Sequence, residues 1–403
     1  MPVIRTFVSH HGGDFESRVE PILRHAAPLG VRPWLDKYDL GDRVGLPLAD
    51  QLREAIHGGQ CSSLTLFLSK AAVTRKWIEM EVQWALEHLD PTFRILPILL
   101  DPIDQIDLPE TFRTLLRDRE VIWLEPEKTP RFLMNFATSV LAAGGLNKES
   151  KEVTLYMGHR IADRLAAVPA VFSQAPTIDL RLAGDGNKDF CPTEAEWPQI
   201  EHGLEVLKEY LGQLECINVC GHAPLGVAHL IGKTWDRGAA RGDTLLLRSF
   251  NIQSQQVWST DWSDYGKCSD WTPDHAKHLQ MGEPEIVDQP SLLVVLLLQG
   301  QDEYLRHVRA WNQKREQPSP LLIVKLPKPN GSAELAQEVM IECVGMFRYL
   351  RRNFACADLI ELISGYPLAL APLISYHLRT LGPIHFYDEV KQTHSYRLAT
   401  LIK

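Results

Sequence analysis

The sequence lacks an excess of positive charge, and this narrows the classes of ligand that it can serve. Its 51 acidic residues outnumber 42 lysines and arginines, which gives the 403-residue chain a formal net charge of −9. We therefore expect no basic surface for duplex nucleic acid. A nucleotide ligand is compatible with this charge, because a pocket needs only a few local donors.

Long apolar runs and paired cysteine motifs are also missing. The most apolar run, Leu292–Leu298, is far shorter than the roughly 20 residues of a membrane-spanning helix and predicts a buried strand. The start, Met1–Arg5, lacks the pattern of a signal peptide. The 7 cysteines form no C-x-x-C pair, and Cys216 and Cys220 flank an apolar strand pattern typical of core thiols. We expect a cytoplasmic, reduced protein with no metal and no membrane partner.

The length of 403 residues predicts two or three domains of about 100–200 residues each. The polar stretch 147–152 is the expected boundary between a domain over 1–146 and a second over 151–403.

In the first region, short apolar runs alternate with segments of helical periodicity. The predicted strands are 3–8, 31–35, 64–68, 94–100 and 121–124, and the predicted helices are 14–27, 47–57, 73–89, 109–117 and 130–143. Strands this apolar, each followed by a helix, predict a parallel sheet covered on both faces. The fold class is therefore α/β, with a flavodoxin-like, five-stranded domain whose ligands lie at the carboxyl ends of the strands.

The second region contains an internal repeat. Residues 216–231 and 359–374 each run from a strand through a glycine turn into a helix that opens with proline. Aligned on Pro224 and Pro367, the two segments share Pro, Leu, Ala, Leu and Ile. A true duplication would place two helix N-termini near each other, as a site for a symmetric anionic ligand. The alternative is that two βα units of one fold use similar turns.

Four stretches of the first region, in the expected order, resemble the TIR family. They correspond to the first strand with its serine, the second strand with its aspartate, the BB loop leading into a helix, and the third strand with the Trp-x-x-x-Glu helix start: 6–10, 30–36, 36–56 and 66–81. The BB loop departs from the family, which usually places glycine three residues after the loop leucine. Here Leu40 is followed by Gly41, and the next glycine is Gly45.

The resemblance implies either a non-enzymatic adaptor or an enzyme that cleaves the nicotinamide–ribose bond of NAD⁺. In the enzymes the glutamate that closes Trp-x-x-x-Glu is catalytic, and Glu81 has that place. A carboxylate suits this chemistry because it stabilises an oxocarbenium-like centre. Periodicity alone does not choose Glu81 over Glu79, and either could be a solvated helix carboxylate. Glu81 shares its flank with Trp77 and Trp84.

The NAD⁺-binding candidates lie at the predicted strand ends, in the BB loop and beside Glu81. They are Ser9, His10, Trp34, Asp36, Leu40, Ser69 and Trp77. Trp34 either stacks on an aromatic ring of the dinucleotide or belongs to the core. Asp36 either holds a ribose hydroxyl or anchors the loop.

Residues 151–403 resemble the SAVED domain, an α/β fold that is itself similar to two fused CARF-type modules. The resemblance lies in the element at 216–236, in the next strand followed by Trp258, and in the repeat at 359–388. It implies a sensor for cyclic oligonucleotides. The candidate ligand residues are Gly221, His222, Ala223, Leu225, Gly365, Tyr366 and Pro367. Routine turn packing is the alternative for His222 and Tyr366.

Together the two resemblances imply an effector of bacterial cyclic-oligonucleotide-based anti-phage signalling (CBASS). The expected activator is a cyclic oligonucleotide, a cyclic triadenylate above all. Its binding would drive head-to-tail self-association, and NAD⁺ would be the substrate, released as nicotinamide and ADP-ribose, with no further cofactor. The alternatives are a non-catalytic TIR scaffold assembled by the same ligand, a cyclase that makes cyclic ADP-ribose, and a nucleoside-processing glycosidase.

Overall fold

The computed structural model of the chain describes most of its residues, which fold into two compact units. The first unit comprises residues 1–183 and 202–214, and the second comprises 184–201 and 215–403. The described residues are 4–40, 47–88, 90–103, 108–118, 122–123, 129–158, 168–181, 192–222, 224–235, 245–251, 255–260, 271–282, 291–327, 332–353, 359–365, 369–378, 382–390, 393 and 395–402. Among the described helices, none has the length and apolarity needed to cross a bilayer.

The first unit contains the predicted five-stranded parallel sheet, with strand order β2-β1-β3-β4-β5. Its strands are β1 (Thr6–Ser9), β2 (Pro33–Trp34), β3 (Ser63–Leu68), β4 (Arg94–Leu99) and β5 (Ile122–Trp123). Its helices are α1 (Glu20–Ala26), α2 (Asp36–Asp39), α3 (Leu48–His57), α4 (Lys76–Leu86), α5 (Glu110–Asp118) and α6 (Thr129–Ala143). The flavodoxin-like fold is thereby confirmed.

Both faces of this sheet are covered, as its apolar strands require. All residues of the central strand β3 are buried. On one face, Leu52 of α3 and Val82 of α4 belong to the same buried cluster as Leu66. On the other face, Phe136 of α6 packs edge-on against Phe67, with ring centroids 6.4 Å apart.

The helix predicted over 14–27 is a composite in the structure. A 3₁₀ turn over 12–14 and a π-helical turn over 15–19 precede α1, and a second 3₁₀ turn over 27–29 follows it. Gly30 then ends the helical region with φ +87°, a conformation that favours glycine. A Cβ atom at this position would also overlap the side chain of Ile178.

The first unit also contains two further parallel strands, β6 (Glu152–Gly158) and β7 (Thr177–Arg181). Asp179 of β7 lies between two buried guanidinium groups. Its carboxylate is 2.7 Å from Nε of Arg181 and 3.5 Å from Nε of Arg32. Burial and the charge of Arg181 lower the pKa of Arg32 to about 10. Two arginines therefore share one carboxylate in the interior, where an unpaired charge would be costly.

The second unit contains a six-stranded sheet of order β11-β13-β12-β14-β15-β16, in which the four inner strands are parallel and both edge strands antiparallel. Its strands are β11 (Gln280–Met281), β12 (Ser291–Leu298), β13 (Leu321–Leu326), β14 (Leu359–Gly365), β15 (Ile384–Val390) and β16 (Ser395–Ile402). The run 292–298 forms β12, and its residues 292–297 are buried, which confirms the predicted buried strand.

Three further strands of the second unit are β8 (Cys216–Gly221), β9 (Leu246–Asn251) and β10 (Gln256–Ser259). β8 and β9 are parallel, whereas β9 and β10 are antiparallel. The remaining helices are α7 (Trp197–Leu211), α8 (Leu225–Thr234), α9 (Asp302–Gln313), α10 (Ala333–Asn353) and α11 (Leu370–Ser375). Residues 202–211 of α7 belong to the first unit and residues 197–201 to the second.

The internal repeat appears as two helices in contact, α8 and α11. Gly232 lies against the backbone of Pro372, and Nδ1 of His229 is 2.5 Å from Oγ of Ser375. In the alignment of the two segments, His229 matches Pro372 and Gly232 matches Ser375. The contact between Gly232 and Pro372 is therefore equivalent to the contact between Ser375 and His229 when each residue is replaced by its match in the other segment. Contacts across a two-fold axis have this property. This equivalence supports duplication over coincidental use of similar turns.

The same contacts bear on where the two helices begin. His229 of α8 contacts Ser375 of α11, and Gly232, three residues later in α8, contacts Pro372, three residues earlier in α11. The helices thus run in opposite directions where they touch, in the later half of α8. The expectation that their N-termini would lie side by side is not met by these contacts.

Gly232 is expected to be intolerant of any side chain, because a Cβ atom there would overlap the carbonyl oxygen of Pro372. Alanine favours a helix over glycine by about 1 kcal/mol, but overpacking against backbone costs about 1–3 kcal/mol. We expect Gly232→Ala to lower the melting temperature by several degrees. Gly12→Ala, where a Cβ atom meets nothing within 4 Å, is the control for thermal unfolding. Equal melting temperatures for the two variants would contradict this packing.

Candidate functional site

The carboxyl edge of the first sheet gathers polar side chains from several strands. Ser9 ends β1, Ser69 directly follows β3, and Asp101 follows β4. Because these strands are parallel, their carboxyl ends lie at the same edge. Helix α4 begins after β3 and brings Glu81 to this edge.

Glu81 is the centre of the site. Its side chain is only 6% exposed, and its Oε2 accepts a hydrogen bond of 2.5 Å from Oγ of Ser9. Burial raises the pKa of Glu81 to about 7, whereas hydrogen bonds from Ser9 and Trp77 oppose this rise. The negative charge of Asp36 raises the pKa further. A carboxylate that titrates near neutrality can stabilise developing positive charge or exchange a proton.

The structure separates the two glutamates that periodicity left open. Glu79 is half-buried, and its Oε1 accepts a hydrogen bond of 3.1 Å from Thr111. Glu81 instead faces the strand ends through Ser9. Of the two, only Glu81 therefore combines burial with a place at the carboxyl edge of the sheet.

Asp36 lies within electrostatic range of both His10 and Glu81. Asp36 is exposed at the start of α2, and its Oδ1 accepts a hydrogen bond of 2.7 Å from the backbone N–H of Lys37. The His10 ring packs against Phe15, with centroids 4.9 Å apart. Burial lowers the pKa of His10, and Asp36 opposes this shift.

The aromatic candidates divide between core and surface. Trp34 is 3% exposed, stacks on Phe7 with centroids 5.0 Å apart and donates from Nε1 to Gln60. The structure therefore places Trp34 in the core, the second of its two alternatives. Leu40 is partly buried against the same core. Trp77 is 39% exposed and meets Trp84 edge-on, so it presents apolar surface one helical turn before Glu81.

Ser69 was a candidate from the sequence, but the charged side chains around it, Asp14, Arg18 and Asp101, were not. Its Oγ donates to Oδ2 of Asp14 at 2.6 Å and accepts from the backbone N–H of Ala72. Arg18 donates to Oδ1 of Asp101 at 2.9 Å, which lowers the pKa of that carboxyl. Asp101 could have been found, because it directly follows a predicted strand. Asp14 and Arg18 could not, since they lie in an irregular helical region.

Arg75 and His11 form a second polar pair missed by the sequence analysis. Arg75 precedes α4 and donates to Nε2 of His11 at 3.0 Å. His11 lies two residues after Ser9 along the chain and has extended backbone dihedrals. The segment 9–11 therefore contacts Glu81 through one residue and Arg75 through another.

In the second unit, the candidate ligand residue Gly221 ends β8 and adopts φ +112°. His222 follows it, and Leu225 begins α8. The backbone N–H of Gly226 is already occupied, because it donates to both carboxylate oxygens of Asp388 at 3.0 and 3.1 Å. Burial raises the pKa of Asp388 to about 7. Candidates Ala223, Tyr366 and Pro367 lie outside the described residues.

Gly365 lies at the end of β14, beside the start of α9. A Cβ atom there would be 2.8 Å from Oε1 of Gln301 and 3.4 Å from the Tyr304 ring. Because the chain leaves β12 for β13 on one side and later adds β14 on the other, the strand order reverses between β12 and β14. Ligands of open α/β sheets bind outside such a switch point. Gln301 and Tyr304 are therefore additional candidate ligand residues. The sequence analysis missed them because the strand order is not known from the sequence.

His229 of α8 lies against the carboxyl end of β14, beside Gly365. Its Nε2 lies 3.4 Å from Oγ of Ser364, the residue before Gly365, and its ring packs on Phe386 with centroids 4.0 Å apart. Complete burial lowers the pKa of His229 to about 3. The imidazole is thus neutral and links α8 to the carboxyl end of β14.

Comparison with known families gives one match, which covers the first sheet. Residues 6–130 match the family model described as TIR domain. This part of the chain is a TIR domain. The match includes Ser9 and Glu81, so the site just described lies in the TIR domain. A comparison with curated proteins gave no match.

Similar solved structures include three structures of two Cap4 receptors, all at low sequence identity. The Acinetobacter baumannii Cap4 SAVED/CARF-domain containing receptor with the cyclic trinucleotide 2′3′3′-cAAA is 12% identical, with a TM-score of 0.46. The same receptor with 3′3′3′-cAAA and the Moraxella osloensis Cap4 SAVED/CARF-domain containing receptor are each 12% identical, with TM-scores of 0.43. Each similarity covers 89% of this chain and 86% of the other.

Replacement of Glu81 with glutamine is expected to stabilise the protein at high pH. The unfolded chain releases this proton near pH 4.5, but the folded chain retains it up to about pH 7. Stability therefore falls as pH rises through this window, and the full penalty is present above it. Glutamine has no proton to lose, so we expect Glu81→Gln to add about 2–3 kcal/mol to the unfolding free energy at pH 8.

Denaturant unfolding at pH 4.5 and at pH 8 measures this difference. Near pH 4.5 the variant and the wild type should be close, because Glu81 is then protonated in the folded chain. Glu79→Gln is the matched control, because Glu79 is on the same helix but half-buried. The interpretation would be wrong if Glu81→Gln destabilised the protein at pH 8.

Proposed function

We propose that the protein is an NAD⁺ glycohydrolase of bacterial anti-phage defence (CBASS), activated by a cyclic oligonucleotide that binds the second region. The observation that carries the enzymatic part is the buried carboxylate of Glu81, hydrogen-bonded to Ser9 at the carboxyl edge of the TIR domain. A buried carboxylate with a raised pKa at the ligand-binding edge of such a sheet is typical of a functional site.

The proposed reaction breaks the bond between C1′ of the ribose and the nicotinamide nitrogen. The bonding electrons leave with nicotinamide, which departs as a neutral ring and needs no general acid. Positive charge develops on the ribose, and the Glu81 carboxylate stabilises it. Water then adds to C1′ and releases one proton, so that the products are nicotinamide, ADP-ribose and H⁺.

The neighbours of Glu81 suit a cationic substrate. The nicotinamide ring of NAD⁺ carries a positive charge, which would favour the ionised form of Glu81. Asp36 adds a second negative charge within range of Glu81. Trp77 offers an exposed aromatic face beside the carboxylate, as recognition of a flat cation requires.

Regulation is assigned to the second unit. Its duplicated strand–turn–helix elements give two glycine turns where backbone can approach phosphate groups. The N–H of Gly226, at the N-terminus of α8, already donates to Asp388 and is not available to a phosphate. The turn residues left to bind the ligand are therefore Gly221, His222 and Gly365. We propose that ligand binding promotes self-association, and that self-association completes the TIR active sites. Without the ligand the chain does not assemble and is therefore nearly inactive.

The test is NAD⁺ consumption by the purified protein with and without a panel of cyclic di-, tri- and tetranucleotides. We expect turnover to require one member of the panel, a cyclic triadenylate. Glu81→Gln should lower it at least 100-fold, whereas Glu79→Gln should retain it. In the wild type, kcat/KM should rise with pH through about 7, because the reaction needs ionised Glu81.

Chromatography separates the alternatives. ADP-ribose as product supports hydrolysis, whereas cyclic ADP-ribose would make the protein a cyclase. Size-exclusion chromatography of Glu81→Gln with the ligand should still show assembly. Ligand binding and assembly without NAD⁺ turnover in the wild type would favour the non-catalytic scaffold. A single unchanged monomer at saturating ligand would contradict the assembly step.

A further inference from the structure

We propose that Ser9 is a positioning residue for the NAD⁺ cleavage, because its hydroxyl holds Oε2 of Glu81 and thereby fixes the direction of the carboxylate. This inference rests on the proposed function and gives Ser9 a different task from direct substrate binding. The contact that carries it is the 2.5 Å hydrogen bond between two buried side chains.

Both partners are fixed by rigid elements. Ser9 is the last residue of β1, which lies between β2 and β3 in the sheet and pairs Ser9 with Leu66. Its exposure is 1%, so the surrounding atoms restrict its rotamer. Glu81 belongs to α4, whose residues Ile78 and Val82 are anchored in the core. A hydrogen bond between such elements sets the direction of the carboxylate plane.

The donor capacity of serine limits what else Ser9 can do. A hydroxyl has a single proton, and in the ionised state of Glu81 that proton lies on the bond to Oε2. It is then not available to donate to a ribose hydroxyl or a phosphate of NAD⁺. Glu81 also accepts a hydrogen bond from Trp77 and lies within range of the negative charge of Asp36. Each carboxylate oxygen has two lone pairs, so the carboxylate keeps acceptor capacity for the reacting ribose beside the two donors Ser9 and Trp77.

The same bond acts on the charge state of Glu81. A hydrogen bond to an ionised carboxylate stabilises that form, in opposition to burial. Ser69, the corresponding residue after β3, gives its proton to Asp14 instead. Of these two strand-end serines, Ser9 alone therefore contacts the carboxylate that the reaction uses.

The experiment compares Ser9→Ala with the wild type in the ligand-activated NAD⁺ assay between pH 5.5 and 9. We expect the midpoint of the kcat profile to move up by about one pH unit, in keeping with a charge-assisted hydrogen bond. At pH 7, kcat should fall about fivefold from this shift, because the ionised fraction of Glu81 falls from about one half to about one tenth, with KM within twofold of the wild type. Ser9→Thr, which keeps the hydroxyl, should restore the midpoint.

A matched control removes another buried hydroxyl from the same sheet. Thr65 lies in the middle of β3, and its Oγ1 is 2.7 Å from Oγ1 of Thr6. Thr65→Val should reproduce any loss of stability but leave the pH midpoint unchanged. An equal shift of the midpoint in Thr65→Val would overturn the proposal, as would a raised KM with an unchanged midpoint in Ser9→Ala.

A readout without turnover separates this proposal from the proposed function. In an infrared titration, the carboxylic acid band that Glu81→Gln removes belongs to Glu81. This band should titrate at higher pH in Ser9→Ala than in the wild type. If the wild type consumes no NAD⁺ with any ligand, the proposed function fails, and the infrared midpoint still decides whether Ser9 controls Glu81. An unchanged infrared midpoint in Ser9→Ala would overturn the inference.

Discussion

Parallel pairing of buried strands is the constraint on which the TIR site depends. Each strand must be followed by a crossover before the next can pair in the same direction, so every carboxyl end emerges at one edge. Ser9, Ser69 and Asp101 come from distant parts of the sequence and meet there for this reason. The same rule, applied to the second sheet, brings Gly365 next to Gln301. Both candidate sites are thus consequences of strand direction.

Burial of Glu81 shows what a site of this kind costs the fold. The carboxylate is desolvated by the core that α3 and α4 form with the sheet, and it recovers part of that loss through Ser9 and Trp77. The remaining penalty is the source of its neutral pKa. Stability and reactivity are therefore opposed at one side chain, a common relation in active sites. By contrast, the carboxylate of buried Asp179 lies against two arginines, Arg181 and Arg32, which fits a structural role.

Elements and their order were predictable from sequence where periodicity was strong. Strand β12 and helices α3 to α6 lie within a few residues of their predicted bounds, because long apolar patterns report burial directly. The region 14–27 was predicted as one helix, since periodicity does not distinguish a π-helical turn from an α-helical one. Glu81 could be named through family resemblance, but its bond to Ser9 could not, because partners across a fold carry no local signal. The same is true of Asp388 and Gly226.

The equivalence of the two contacts between α8 and α11 has an evolutionary consequence. In a dimer of identical chains, every substitution appears on both sides of the axis. Once two copies share one chain, each half accumulates its own changes, and the positions of His229 and Gly232 now hold proline and serine in the other half. Two halves that differ in this way do not need a ligand with two-fold symmetry. Fusion thereby permits recognition of a molecule in a single orientation, with each half specialised for a different part of it.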